Sequence, residues 1–286
     1  MATAPHTKTE ATAARFDDCF VGWLDVCELQ DREYTSHLSV DERAKYLSLR
    51  GERRKSEWLA GRLAAKHLFL NWLEPAREIR SGQWNPGLSR LSGEALAAYS
   101  PWMYRKVEVL SDGEKPGLVW CGRKRKESLS ISHAGGISCA SIALEKPVAI
   151  DVETAVDRHG AFYRNTFTEV EKNWVARVGG DDGLSSANWC FTLLWSLKES
   201  VLKLGWLDGA SIWNLSRIEI DGLPGLNQPG FNRREPFWRS RNLSDAFVVF
   251  TARVKEPRRA MRVQVAVTGT RNFVLTVMNP LIGAVN

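Results

Sequence analysis

Two short segments carry residues whose types and spacing suit work on a phosphate. In Trp195-Ser196-Leu197-Lys198-Glu199-Ser200-Val201-Leu202-Lys203, the residues Leu194, Leu197, Val201 and Leu204 recur at helical spacing and make one apolar stripe. Glu199 and Lys203 lie one turn apart and share a face beside that stripe. A carboxylate and two lysines at the edge of a core suit a site that holds a metal and phosphates. The same pattern also describes an amphipathic helix with an i,i+4 ion pair. Upstream, Pro147-Val148-Ala149-Ile150-Asp151-Val152-Glu153 reads as a strand, with Val148, Ile150 and Val152 alternating with Ala149, Asp151 and Glu153. The period of two puts both carboxylates on one face, at or near the strand's end. Neighbouring carboxylates repel unless a cation or proton separates them. A small cluster of hard oxygens suits Mg2+, which keeps waters and takes the rest of its shell from substrate phosphates. A solvated edge strand would present the same residues.

The elements that must position these segments can be read along the chain. A first strand falls around Phe20 to Val26. A helix starts at Ser39 or Asp41, runs through Arg43 to Leu49 and is broken by Gly51. A long helix follows from Glu52 to Leu73, stopped by Pro75, with Arg62 and Lys66 one turn apart. Residues 76–118 are rich in Gly, Ser and Pro and read as a partly ordered insertion with a short helix at Gly93 to Tyr99. Leu129–Ile131 and Ser138–Leu144 read as strands, and Leu144-Glu145-Lys146-Pro147 as a turn at a subdomain boundary. Thr168-Glu169-Val170-Glu171 fits a capping box, and Asn188 to Leu204 is the helix of the first motif. Strands are expected at 217–220, 246–254, 262–267 and 273–278, with a long loop over 221–245. The expected division is a disordered tail over 1–14, an N-terminal subdomain over 15–145 and a C-terminal one over 146–286.

Composition bounds the rest. The chain has 286 residues, 44% hydrophobic and 25% charged, which is ordinary globular composition with room for a sizeable core. Five cysteines without CxxC spacing and five scattered histidines argue against zinc or a disulfide framework and fit a reducing cytosol. No apolar run is long enough to span a bilayer. Met1 to Ala14 lacks the apolar core of a signal peptide. A net charge of +6 admits a nucleic acid, an anionic cofactor or an acidic protein as partner.

Taken in order, Ile150-Asp151-Val152-Glu153 followed by Trp195-Ser196-Leu197-Lys198-Glu199-Ser200-x-x-Lys203 resembles the signature of 4'-phosphopantetheinyl transferases of the surfactin-synthetase (Sfp) type. Ile131-Ser132-His133 resembles the family's Ser-His element. Lys115-Pro116 resembles its Gly-Lys-Pro element, with Glu114 inserted after Gly113. Leu38 to Arg43 and Trp58 to Lys66 are similar to its N-terminal helices. The resemblance runs from about residue 20 to 205.

It implies an α+β fold of two similar α/β subdomains with the active site at their interface, although no residue-level repeat is visible in the sequence. The implied reaction moves phosphopantetheine from coenzyme A to a serine of an apo acyl or peptidyl carrier protein, with Mg2+, releasing adenosine 3',5'-bisphosphate. The resemblance makes Asp151, Glu153 and Glu199 metal ligands, with Glu199 also a candidate base, and Lys198 and Lys203 neutralisers of the pyrophosphate. Ser132 and His133 would hold a phosphate, and Lys45, Arg62 and Lys115 the 3'-phosphate or adenine end. Arg62 has a rival role in a salt bridge with Glu57 or Glu52, and Lys66 a rival role as a solvated helix residue. Glu42 stands where the family often has a basic residue. A basic face is expected to dock the carrier, through Arg123 to Arg125 or Arg233-Arg234, helped by the loop from Asp157 to Thr168 and by Trp174. A cytoplasmic monomer without nucleic-acid or membrane partners is expected. A metal-dependent nuclease and a non-catalytic carrier- or RNA-binding module are the rival readings. The nuclease lacks a Glu-x-Lys after the first Asp, since Thr154-Ala155 follow Glu153. The binding module sits badly with four polar residues that all suit catalysis.

Overall fold

The computed structural model describes residues 19–29, 34–73, 88–112, 115–144, 146–179, 184–205, 212–225, 248–256, 259–270 and 272–281. The first part of the chain runs β1 (Cys19–Asp25), α1 (Val40–Ser48), α2 (Glu52–Leu73), β2 (Leu88–Arg90), α3 (Gly93–Leu96), α4 (Pro101–Lys106), β3 (Val107–Asp112), β4 (Lys115–Trp120), β5 (Arg123–Lys124), β6 (Ser128–Ala134) and β7 (Ile137–Ala143). The second runs β8 (Ala149–Thr154), α5 (Gly160–Thr166), α6 (Glu169–Gly179), α7 (Leu184–Leu204), β9 (Glu219–Asp221), β10 (Val248–Glu256), β11 (Arg259–Thr270) and β12 (Phe273–Pro280). The fold is therefore α+β. Among the described residues, strands before position 145 form a four-stranded sheet (β2-β1-β7-β6) and a three-stranded one (β3-β4-β5). Those after it form a five-stranded sheet (β8-β12-β11-β10-β9).

Each large sheet carries one long helix. The apolar residues of α2 include Leu59, Leu63, Phe69 and Leu70, all buried, and they pack on β1 and β7. In α7, Trp189, Leu193, Leu194, Leu197 and Val201 are buried against β8 and β12. The approach of α2 to β6 depends on Gly61, where a Cβ would lie 2.8 Å from Ile131 Cγ2. Most of the expected elements form within a few residues of their expected bounds. Residues 76–118 are a correction. Their described part, 88–112 and 115–118, is more ordered than expected and supplies β2, two capped short helices, β3 and most of β4. Ser92 and Ser100 cap α3 and α4, and Val107, Val109 and Leu118 are buried. Glu114, the tail over 1–14 and most of loop 221–245 lie outside the described residues.

One bonding pattern recurs on both long helices. Ser39 and Glu42 form a capping box at the start of α1. Glu42 also takes the fully buried Lys66 ammonium of α2 and the Val109 N–H. Lys66 donates further to the carbonyls of His37 and Tyr104. Thr168 and Glu171 make the same reciprocal bonds at the start of α6. Glu171 takes the buried Lys198 ammonium of α7 and the Ile220 N–H, and Lys198 donates to the carbonyls of Thr166 and Leu215. Each pair ties a long helix to the helix before it and to the strand beyond.

The edges of the two large sheets meet where β6 runs beside β8. They are not joined by a backbone ladder. Instead, serines on one face of β6 take the free N–H groups of β8. Val148 N–H donates to Ser128 Oγ at 3.0 Å and Ile150 N–H to Ser130 Oγ at 3.1 Å. This satisfies an edge that would otherwise bury unpaired amides.

Candidate active site

The next serine along this face, Ser132, begins the site. The alternation of β8 turns Asp151 toward α7, where it is 2% exposed. Its Oδ1 accepts from Lys203 Nζ at 2.7 Å and from Ser132 Oγ at 2.9 Å. Lys203 also donates to Ser132 Oγ at 2.9 Å and to the Ile150 carbonyl at 3.1 Å, so its three N–H donors are all engaged. Burial opposes the Lys203 charge, yet Asp151 beside it carries its pKa above the ordinary lysine value. Asp151 Oδ2 is buried and has no hydrogen-bond partner among the described residues.

β8 and α7 run in opposite directions here, which sets the order along the groove. Lys203 sits at Ile150 and Asp151, while Trp195, two turns earlier, donates its indole N–H to Glu153 Oε1 at 3.0 Å. Glu199 projects between them. Burial, followed by the charges of Asp151 and Glu153 against the opposing Lys203, pushes the Glu199 carboxyl up to about 7. Glu153 Oε2 accepts from Arg158 at 3.1 Å. Burial and Asp151 raise the Glu153 carboxyl as well, against the pull of Trp195, Arg158 and Lys203.

At the other end of the groove lies a cleft of about 590 Å³, lined by Lys115, Pro116, Ser128, Ser130, Lys203 and Gly205 among others. Lys115 donates to the Leu204 carbonyl at 3.1 Å and so closes the C-terminus of α7. Gly205 (φ +66°) gives it room, since a Cβ there would meet the ammonium. His133 is half-exposed, with Nε2 3.8 Å from Glu57. Burial lowers its pKa, and the nearby Lys203, Arg62 and Arg54 act the same way against Glu57. Arg62 lies 4.0 Å over the Trp58 ring and donates to Ser111. Burial brings its pKa down to about 10.

The structure thus brings Asp151, Glu153, Glu199, Lys203 and Ser132 together, with His133 and Arg62 nearby and Lys115 at the cleft. Several expectations change. Lys198 does not face the groove: one residue along a helix is a turn of about 100°, which sends its side chain into the core against Glu171. The Ser132 hydroxyl donates to Asp151 and accepts from Lys203, so its proton is directed at the carboxylate. Lys45 stands exposed on α1 and makes no ion pair with the other site residues among the described ones. Lys66 does not solvate its helix but is buried against Glu42, which explains why position 42 is acidic here. Arg62 bonds neither Glu57 nor Glu52; Arg53 and Lys55 take those. Trp174 is buried and bonds the Pro224 carbonyl, so it offers no docking surface. Arg233-Arg234 lies outside the described residues. Sequence reasoning missed Arg158 as a site residue, because no periodicity marks it, and Trp195, which sits one turn before Glu199 in the signature helix.

The residues present fit a divalent cation. Asp151 offers a buried oxygen without a partner among the described residues, Glu199 is near it, and the donors are hard oxygens of the kind Mg2+ takes. No ready-made set of three ligating side chains occurs among the described residues. Glu153 is turned to Trp195 and Arg158, so a cation here would draw part of its shell from water or ligand oxygens. No helix among the described residues is long and apolar enough to cross a membrane.

A sequence profile of the 4'-phosphopantetheinyl transferase superfamily matches residues 147–249. That segment holds Asp151, Glu153, Glu199 and Lys203, and the match supports the resemblance read from the two motifs. The superfamily's shared activity is phosphopantetheinyl transfer, with coenzyme A as donor and carrier proteins as acceptors. No curated protein matches the chain.

Proposed function

We propose that the protein is an Mg2+-dependent 4'-phosphopantetheinyl transferase, which moves the phosphopantetheine arm of coenzyme A onto a serine of an apo acyl or peptidyl carrier protein and releases adenosine 3',5'-bisphosphate. The observation that carries this reading is the groove between β8 and α7, where Asp151 presents a buried oxygen without a partner among the described residues and Glu153 and Glu199 lie close enough to feel its charge. Asp151 and Glu199 would hold the cation, with Glu153 reaching it directly or through water. Bound there, Mg2+ would neutralise charge on the pyrophosphate oxygens.

The chain's own residues divide the remaining work. Lys203 and Ser132 fix the Asp151 carboxylate by fully engaged hydrogen bonds, a preorganised arrangement that needs no rearrangement when substrate arrives. The cleft at Lys115 and the half-exposed His133 would take the nucleotide end of coenzyme A, with Arg62 lending positive charge. The serine oxygen forms a bond to the phosphorus nearest the pantetheine arm as the bond to the nucleotide phosphate breaks. Glu199, whose raised pKa suits it to accept a proton near neutral pH, takes the hydroxyl proton directly or through water.

The N- and C-terminal subdomains are read as similar units meeting at residue 145, a view supported by the recurring Lys–Glu pairs on α2 and α7. The protein is read as a cytoplasmic monomer that docks its carrier through a basic face. Incubation with apo carrier protein, coenzyme A and Mg2+ tests the central reading by intact mass of the carrier. A gain of one phosphopantetheine, lost with EDTA, is expected. No gain with either acyl or peptidyl carriers, and no binding of coenzyme A, would overturn it.

A further inference from the structure

Arg158 lies in the short segment between β8 and α5, on the far side of Glu153 from the cleft. Its guanidinium is held from three directions. One N–H bonds Glu153 Oε2 at 3.1 Å, and the rings of Phe162 and Trp195 lie 4.7 Å and 5.1 Å from it. The backbone is pinned too, because Arg158 N–H donates to the Tyr163 hydroxyl at 2.9 Å. Yet its Nε–H is buried and has no partner among the described residues. A buried charged donor left unpaired is costly, and two aromatic faces with an anchoring carboxylate fix the direction in which it points.

We propose that Arg158 is an anion-binding residue: it keeps Glu153 with one N–H and offers Nε–H to a phosphate oxygen of the bound coenzyme A. This rests on the transferase reading. The order along the groove says which phosphate. The cleft with Lys115 and Gly205 lies beyond Lys203, then come Asp151 and Glu199, then Glu153, and Arg158 last. With the nucleotide in the cleft, Arg158 faces the phosphate that bears the pantetheine arm, the one the acceptor serine attacks. A guanidinium there would also stabilise the charge that builds on that group during transfer.

The test compares two ligands by titration calorimetry, with Mg2+ and no carrier protein. Coenzyme A carries the pantetheine-bearing phosphate; adenosine 3',5'-bisphosphate does not. Arg158→Gln should weaken coenzyme A by about tenfold, the worth of one charge-assisted hydrogen bond. It should leave adenosine 3',5'-bisphosphate within about twofold of wild type. Arg158→Lys keeps the charge and loses the planar fork, so it should show the same selective loss, smaller in size, and it stands in if the Gln variant fails to fold. Equal weakening of both ligands would mean a general structural or charge effect and would overturn the inference, as would no weakening of either. Wild-type protein that binds neither ligand would instead overturn the transferase reading beneath it.

Discussion

Glu199 is a partly buried carboxylate with two others close by. Burial and two neighbouring carboxylates hold its carboxyl at about 7 in the fold, against 4.5 for the ordinary side chain. Between those values the native state keeps a proton that the unfolded chain releases, so stability falls as pH rises across that interval and levels above it. In EDTA, the melting temperature of wild type minus that of Glu199→Gln should therefore decline from pH 5 to pH 7. A difference independent of pH would place Glu199 outside the carboxylate cluster. Glu199→Gln should also cut carrier modification by about 10² or more, the usual worth of a general base, while melting no lower than wild type near pH 7. Asp151→Ala should lose as much activity, but it should melt lower, because Lys203 and the Ser132 hydroxyl lose their acceptor. Much of this cluster was legible in the sequence: the period of two gave Asp151 and Glu153 one face, and helical spacing put Glu199 and Lys203 on another. Lys198 was misassigned because a signature lists residue types, whereas the helix rotates adjacent side chains apart. Arg158 was invisible, since only the tertiary path of the segment after β8 brings it to Glu153.

At the scale of elements, the two buried Lys–Glu pairs govern how the long helices are seated. Burial lowers the Lys198 ammonium and raises the Glu171 carboxyl, and their ion pair opposes both. Removing one partner leaves a buried charge uncompensated, which typically costs about 3–5 kcal/mol. Lys198→Met should therefore lower the urea midpoint strongly, and Lys198→Met with Glu171→Leu should recover part of the loss. Protein that remains folded should bind coenzyme A with wild-type affinity. Weak coenzyme A binding with normal stability would return Lys198 to the phosphates. The capping box at Thr168 was readable, but its lysine was not. Ser/Thr-x-x-Glu is short, the distance in sequence to the lysine differs between the halves, and nothing local announces that Lys66 or Lys198 is buried. The strands of 107–120 were hidden for a related reason. Gly, Ser and Pro around them signal turns, while the burial of Val107, Val109 and Leu118 is settled only by α2 packing over them.

For the whole molecule, the decisive feature is that the site straddles two sheets whose edges are joined by side chains. Asp151 comes from the five-stranded sheet, Ser132 and His133 from the four-stranded one, and α7 spans the join with Lys203. A serine hydroxyl can accept an amide and donate elsewhere, so Ser128, Ser130 and Ser132 connect the edges without requiring strand register between them. Ser130 matters most to the site, because the Ile150 N–H it accepts belongs to the residue before Asp151 and Lys203 holds the carbonyl of the same residue. Ser130→Ala should leave that amide buried without an acceptor, at about 1–3 kcal/mol. Ser141 on neighbouring β7 supplies the control. Its hydroxyl is buried and has no partner among the described residues, so Ser141→Ala removes an unsatisfied group and should be neutral or stabilising. Hydrogen exchange gives the local readout. The Ile150 amide should exchange faster in Ser130→Ala by more than the global loss of stability explains, and at the wild-type rate in Ser141→Ala once stability is matched. Equal protection in both variants would mean that packing, not the hydroxyls, holds the sheets together.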